Sequence, residues 1–437
     1  MKEVRRVAQP TDFRIPYARC SMASFDDLWA CRVGLITAAI TVSLAAGAVV
    51  AHQGLASTNV IKNVVSSPRT ATGKGATQRS DYVGDAACAG CHQEIVASHN
   101  KTAHHLTSQP ANKDTILGSF SPNGNIMQTR NPNLRFRMDS KDDQFFQTAI
   151  WGTPPDERTH TQRFDLVIGS GRNGQTYLFW DESQLFQLPV AYSTLVGRWI
   201  NGPGYKNGSA SFDRGIIPRC LECHAGYFES QISDPNSNFY DNKTFVLGIS
   251  CERCHGPGRT HAQKQANGNA SSSPAIVNPA KLSRKLQADI CAQCHAGPGE
   301  REILPAFSYR PGEPLEKYID LGSDDSVKEI DVHGKQVKLL MKSKCFQSSP
   351  EMTCSTCHNV HQPEPDLATL SQRCMSCHPL QATGEHSKMA STARKNCIDC
   401  HMPVLETKAI ELDVNGKIVR PRLRTHWIRI YSENERQ

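Results

Sequence analysis

Seven times along this chain, two cysteines stand three positions apart with a histidine directly after the second. The pairs are Cys88/Cys91, Cys220/Cys223, Cys251/Cys254, Cys291/Cys294, Cys354/Cys357, Cys374/Cys377 and Cys397/Cys400. The histidines that follow are His92, His224, His255, His295, His358, His378 and His401. Fourteen of the 17 cysteines are used in this way, leaving Cys20, Cys31 and Cys345. Paired C-x-x-C units also build zinc sites and redox dithiols, but neither needs a histidine after every pair. With 17 histidines in 437 residues, seven out of seven by chance is an event of about one in ten billion.

The chemistry that uses the whole unit is covalent haem attachment. The two cysteines add thioethers to both vinyl groups of one haem, and the adjacent histidine becomes the proximal iron ligand. The expected cofactors are seven covalently bound haem c groups, one per motif. Composition agrees: only 38% of residues are hydrophobic and the mean hydropathy is −0.47, so large flat cofactors are expected to fill the interior. The net charge of +7 could point to nucleic acid or an anionic membrane. Seven oxidised haems, each with about +1 at the iron–porphyrin and about −2 on its propionates, would however add about −7. The Lys/Arg excess is therefore assigned to balancing propionates, and no nucleic-acid partner is expected.

The first 32 residues are basic, and Val33–Ala51 is an uncharged run of 19 residues, just long enough to cross a hydrocarbon core as a helix. Small residues at its end (Ala46, Gly47, Ala48, Ala51) equally suit signal-peptidase cleavage. Anchor and cleaved signal stand level, and either exports the body of the chain. Met22 is an alternative start within this stretch, and Cys20 and Cys31 are given no role. Cys345, nine residues before the fifth motif, reads as a buried free thiol.

The expected divisions are a signal or membrane anchor over 1–52, a Ser/Thr/Gly-rich flexible tether over 53–80 and a first haem segment over 81–106. A β-rich region without haem motifs follows over 107–218, then a six-haem cytochrome c domain over 219–437. Phe164–Gly171, Thr176–Trp180 and Gln184–Val190 carry strand-type residues punctuated by turn formers, which predicts a small antiparallel β unit. The fold class expected is a multihaem cytochrome c: mainly short helices and loops around stacked haems, with a small β-rich insertion.

The sixth ligand separates carrier from catalyst, because a second histidine closes the iron and an open position admits substrate. Nine histidines after the tether lie outside the motifs: His99, His104, His105, His160, His261, His333, His361, His386 and His426. A lone histidine is more often a surface or core residue than a ligand, yet nine beside seven motifs shifts that balance.

G-D-A-A-C-A-G-C-H-Q-E-I (84–95) resembles the opening of the cytochrome c-554-like family, part of a wider group with ammonia-forming nitrite reductase and hydroxylamine oxidoreductase. C-E-R-C-H-G-P-G-R-T-H (251–261) is similar to a family unit whose last histidine is a distal ligand. C-S-T-C-H-N-V-H (354–361) resembles its C-x-x-C-H-x-x-H unit, in which the second histidine ligates a neighbouring haem. G-E-H (384–386), C-I-D-C-H-M-P (397–403) and R-T-H (424–426) resemble the family's tail. The resemblance implies His261, His361, His386 and His426 as distal ligands. His104 is the favoured candidate near the first haem, with His99 and His105 as rivals. His160 and His333 complete a count of seven without motif support.

The leading expectation is a heptahaem electron carrier in an extracytoplasmic respiratory chain, periplasmic and anchored by residues 33–51 if the segment is uncleaved. Its redox partners would be a quinol-oxidising membrane complex or soluble cytochrome on one side and a terminal reductase or oxidase on the other. The alternative is an oxidoreductase acting on a small nitrogen or sulfur compound at one open haem. No motif has the lysine variant of the nitrite reductases, and no tyrosine is placed like the crosslinking residue of hydroxylamine oxidoreductase. A haem-based sensor or adhesive module is the third and weakest reading, seven haems being wasteful for it. The five better distal candidates stand beside the first, third, fifth, sixth and seventh motifs in sequence. Any open haem is thus expected at Cys220/Cys223 or Cys291/Cys294, with His160, His333 or Cys345 nearby.

Overall fold

The computed structural model describes residues 81–268, 275–297, 301–322, 330, 334–379, 396–407, 411–414 and 417–436, all within one unit, Arg69–Gln437. The anchor and tether segments, Cys20, Cys31, His333 and His386 lie outside them.

The chain opens with two short helices, α1 (Asp85–Ala89) and α2 (Gln93–His99), and then turns to strands. In order these are β1 (Ser108–Pro110), β2 (Ile126–Gln128), β3 (Leu134–Lys141), β4 (Gln144–Trp151), β5 (Arg158–Arg163), β6 (Leu166–Ile168), β7 (Gly174–Asp181), β8 (Gln184–Gln187), β9 (Val190–Ser193) and β10 (Arg198–Asn201). Strands β2-β3-β4-β5 form one antiparallel sheet; β1-β6-β7-β9-β10, with β8 on β7, form a second of six strands. Leu134, Phe136 and Met138 alternate with arginines along β3 and face inward, the period of two that a half-buried strand requires. They share a core with Phe145, Ala149, Phe164, Tyr177, Phe179, Val190 and Trp199, so the two sheets bury their inner faces together. The β3–β4 hairpin pairs Lys141 with Gln144, and Asp142 and Asp143 both take positive φ, 52° and 57°. That is the turn whose twist matches its strands, and aspartate tolerates it better than a branched residue would.

Helix α3 (Pro218–His224) carries the second motif and leads into the hairpin β11 (Ala225–Ser230)/β12 (Tyr240–Leu247). Helices α4 (Glu252–His255), α5 (Arg259–Ala266), α6 (Arg284–His295), α7 (Gln336–Met341), α8 (Lys344–Ser348) and α9 (Leu367–Met375) follow, and the last motif lies on a helix over Cys397–His401. A second core joins Leu166, Leu178 and Leu185 of the sheet to Leu221 of α3 and to Phe228, Tyr240 and Phe245 of the hairpin.

The expectation of mainly short helices and loops is therefore only partly met. Short helices do carry the motifs, but strands make up most of 108–201 and recur beyond it. The reason is local: aromatic and β-branched residues at Tyr227, Phe228, Phe245 and Val246 pair across the β11–β12 ladder, where their bulk packs best.

Candidate haem-binding sites

Each motif is built on a single turn of helix. His92 N–H donates to the Cys88 carbonyl at 2.9 Å, His255 to Cys251 at 3.0 Å, His358 to Cys354 at 3.0 Å and His378 to Cys374 at 2.9 Å. Residues i, i+3 and i+4 of a helix share one face, so both sulfurs and the imidazole are presented together. None of the described cysteines, Cys345 included, is in a disulfide.

Four motif histidines face a histidine from outside the motifs. His92 lies opposite His261 with ring centres 6.5 Å apart and planes at 16°. His255 faces His361 at 5.9 Å and 16°, His358 faces His426 at 6.1 Å and 28°, and His295 faces His104 at 6.1 Å and 84°. A metal–imidazole bond of about 2 Å on each side, plus about 1.2 Å from nitrogen to ring centre, separates two axial rings by about 6.4 Å. The observed spacings fit an iron between each pair and are too wide for direct stacking. Beside His255 there is also an open cleft of about 590 Å³, where Pro257, Ile276, Val277 and Leu282 mix with Asp81, Asn278 and Lys281.

Five of the motif histidines have their Nδ1 atoms held by a partner, which fixes the ring orientation. His255 Nδ1–H donates to the Val277 carbonyl at 2.9 Å, and His401 Nδ1–H to that of Arg429 at 3.0 Å. His295 Nδ1 reaches Gln336 Oε1 at 3.2 Å, His358 Nδ1 reaches Glu364 at 3.0 Å, and His224 Nδ1 lies 3.2 Å from Thr107 Oγ1. Burial, reinforced by the neighbouring His295, pushes His104 down to about 4. Burial, then the nearby His358, does the same to His426, also to about 4. Burial lowers His295 and His361 too. Neutral imidazoles are the form that binds a metal.

The partners across each gap are brought from distant segments by identifiable contacts. Glu252, inside the third motif, accepts the Val83 and Gly84 N–H groups at 3.1 and 2.8 Å, and Arg259 N–H donates to the Asp81 carbonyl at 3.1 Å. The segment after the third motif is thereby laid along the start of the first, which sets His261 over His92. The Ile249 N–H donates to the His104 carbonyl at 2.9 Å. Ser98 Oγ–H on α2 donates to the His361 carbonyl at 2.5 Å. Ser343, fully buried, donates to the His426 carbonyl at 3.2 Å.

Neighbourhood in sequence therefore misplaces the partners. His261 faces the first motif rather than the third, His361 the third rather than the fifth, and His426 the fifth rather than the seventh. His104 faces His295 of the fourth motif, one of the two named above as candidates for an open iron. His99 and His105 pack against each other instead, 5.7 Å apart. His160 sits exposed on β5 against the Phe212 ring at 4.5 Å, and His378 is exposed.

Motif contacts also went unread in the sequence. A neighbouring motif's thiol, then burial, raises Cys251 (beside Cys88), Cys294 (beside Cys223) and Cys291 (beside Cys354), and burial, then Cys397, raises Cys374. Between the cysteines of motifs two, three and four, the inner residues interlock. Arg253, 7% exposed, donates to the Glu222 carbonyl at 3.1 Å and to Gln293 Oε1 at 2.6 Å. The Glu222 carboxylate receives Arg219 at 2.6 Å and the Phe307 N–H at 2.7 Å, and Arg219 also donates to the Gln293 carbonyl at 2.8 Å. The signal was the charge itself: Glu222, Glu252 and Arg253 are costly to bury unless paired.

The fourteen cysteines assigned to haem attachment are not placed alike. Cys91, Cys220 and Cys377 are exposed and the other eleven are half-buried. Their positions on the backbone explain this. Cys91 falls in the turn between α1 and α2, and Cys377 in the turn just past α9, where the chain faces outward. Cys400 is half-buried one turn after Cys397, and its sulfur accepts from the Arg436 guanidinium at 3.4 Å rather than meeting another motif. Cys220 is exposed near the start of α3, and Cys357 is half-buried. Cys254 packs with Cys291 against the core around Ile290 and Tyr309. The two sulfurs of one motif therefore differ in surroundings, and for all fourteen cysteines the attachment role rests on the motif spacing.

A family model for cytochrome c554 and c-prime matches residues 204–256. The high-molecular-weight cytochrome c of Nitratidesulfovibrio vulgaris is 23% identical over 39% of this chain and 31% of its own length. Multiheme cytochrome MtrA of Shewanella baltica is 24% identical over 42% and 45%. The chain spans less than half the length of either relative. The crystal structure of outer cell wall cytochrome OcwA aligns over 80% of both chains with a TM-score of 0.49 and 16% identity. Among the described residues no helix is long and apolar enough to cross a membrane. The cofactor these relatives indicate is covalently bound haem c, and the chain is similar to the multihaem cytochromes c, with its match to cytochrome c554 and c-prime centred on the second and third motifs.

Proposed function

We propose that this chain is a heptahaem c-type cytochrome that passes electrons along an extracytoplasmic respiratory chain. The observation that carries the reading is the set of four facing histidine pairs, each combining a motif histidine with one from elsewhere. Haem iron held between two imidazoles takes up and releases single electrons without binding substrate. His92/His261, His255/His361, His295/His104 and His358/His426 would supply those axial pairs. His224, His378 and His401 are the proximal ligands of the other three, with His386 and His333 kept as distal candidates and His160 disfavoured by its exposed strand. All fourteen motif cysteines, Cys91, Cys377 and Cys400 among them, would form the thioethers.

The cysteine contacts support an order. The first haem would neighbour the third, the second the fourth, the fourth the fifth and the sixth the seventh, while His361, three residues past the fifth motif's histidine, ties the third to the fifth. Electrons would then run through a connected series of the first five haems, with the sixth and seventh as a further adjacent pair. A quinol-oxidising membrane complex or a soluble cytochrome is the proposed donor, and a terminal reductase or oxidase the acceptor. Residues 1–52 would direct export and 53–80 tether the body, with 81–106, 107–218 and 219–437 as its successive parts.

The test is the pyridine haemochrome assay against protein concentration, with acid–acetone extraction and an electron paramagnetic resonance spectrum of the oxidised protein. Seven non-extractable haems per chain, mostly low-spin, is the expected result. Six or fewer, or a majority of high-spin haems, would overturn the reading.

A further inference from the structure

Asp85, His99 and His105 converge at the junction of the first and third motifs without belonging to any of the facing pairs. One ligand atom from each lies within 4.8 Å of the other two, the one group of three such donors among the described residues. His99 ends α2 and is only 9% exposed. The Nδ1 atoms of His99 and His105 are both buried and have no hydrogen-bond partner among the described residues. An unpaired buried polar atom is costly, and two such atoms on neighbouring rings call for something that satisfies both.

Their backbones are clamped before any ligand arrives. Thr102, 3% exposed, donates through Oγ1 to the His99 carbonyl at 2.7 Å and accepts the His105 N–H at 3.2 Å. Asp85 is fixed from the other side, its Oδ1 accepting the Cys251 N–H at 2.9 Å. The ring centres, 5.7 Å apart at 76°, are closer than in any axial pair, and the carboxylate adds a third donor that no axial pair has.

We propose that Asp85, His99 and His105 form a binding site for a single divalent transition-metal ion of the zinc class, separate from the haem irons. Two imidazoles and one carboxylate are a donor set such an ion favours, with water completing a tetrahedral site. Calcium and magnesium, which prefer all-oxygen shells, would be rejected. The ion would pin the start of α1 and the end of α2 to the backbone of Cys251, fixing the first motif against the third.

The experiment uses the full-length holoprotein, dialysed against chelator and titrated with zinc chloride by calorimetry, with metal content read by mass spectrometry. One zinc per chain is expected beyond the haem iron, and none of magnesium. His99→Ala and His105→Ala should each weaken zinc binding about 100-fold or more, and Asp85→Asn about tenfold or more. The asparagine keeps an oxygen for the Cys251 N–H, so that variant isolates the charge from the fold. Haem content and the low-spin spectrum should be unchanged in all three. Absence of a stoichiometric zinc, or zinc binding indifferent to the three substitutions, would overturn the site. So would conversion of one haem to high spin in His99→Ala or His105→Ala, which would make that histidine an axial ligand.

Discussion

His104→Ala separates assignment by geometry from assignment by sequence neighbourhood. Its ring faces His295 of the fourth motif at 6.1 Å, although it stands only twelve residues past His92. Removing it should open one iron and leave the covalent attachment intact. One haem in seven is about 14% of the total, so the high-spin signal should rise by that share and carbon monoxide should bind at about one equivalent in the reduced protein. The location is read by a double-mutant cycle. In a background lacking the fourth attachment, Cys291→Ala/Cys294→Ala, adding His104→Ala should produce no further high-spin haem. Persistence of the new signal there would show that His104 serves another haem. An unchanged low-spin spectrum in the single variant would refute its ligand role altogether.

His261→Ala and His361→Ala should each convert one haem to high spin, that of the first and third motifs respectively; a spectrum unchanged in both would remove the pairings with His92 and His255. Arg253→Ala leaves Gln293 Oε1 and the Glu222 carbonyl without their donor, and breaking a buried charged cluster costs about 3–5 kcal/mol. Chemical denaturation of the holoprotein should register it, and a loss under about 1 kcal/mol would mean the cluster is dispensable. Asp165, 6% exposed, accepts Arg163 and the Trp180 N–H, both at 2.7 Å, so Asp165→Ala should destabilise by about 3–5 kcal/mol on the same grounds. Limited proteolysis between residues 107 and 218 should then accelerate, and unchanged cleavage would count against that cost.

The attachment chemistry was legible because it is local: three side chains on one turn need no information from elsewhere. What surrounds each sulfur was not, since the exposed Cys91 and Cys377 read the same in sequence as Cys254, half-buried against a core cluster. The strands over 166–187 were legible for a local reason too, since Val167, Tyr177, Phe179 and Phe186 advertise a pleated surface. Strands β3 and β4 were equally readable in principle. Leu134-Arg-Phe-Arg-Met alternates with a strict period of two, but its arginines lower the mean hydropathy on which attention settles. Which motif each distal histidine faces was legible only for His361, whose unit implies a neighbouring haem rather than its own. His104 meets His295 because Ile249 holds its backbone, and His261 meets His92 because Glu252 binds the segment before Cys88. Those contacts are tertiary, and nothing in the spacing of histidines encodes them. The Asp85/His99/His105 group escaped for the opposite reason, because each member was read singly, two as rivals for a haem and one not at all.

The interlocked residues between the cysteines bear on how such a chain can change over generations. Thioether formation asks nothing of the two inner positions of an attachment motif, so those positions can ordinarily drift. Here Glu222, Arg253 and Gln293 have lost that liberty, since replacing one strands the buried groups of the other two. The second, third and fourth motifs therefore behave as one heritable unit. Relatives should alter these three positions together or keep all of them. A single motif copied from this unit into another cytochrome would arrive with an unmatched buried charge.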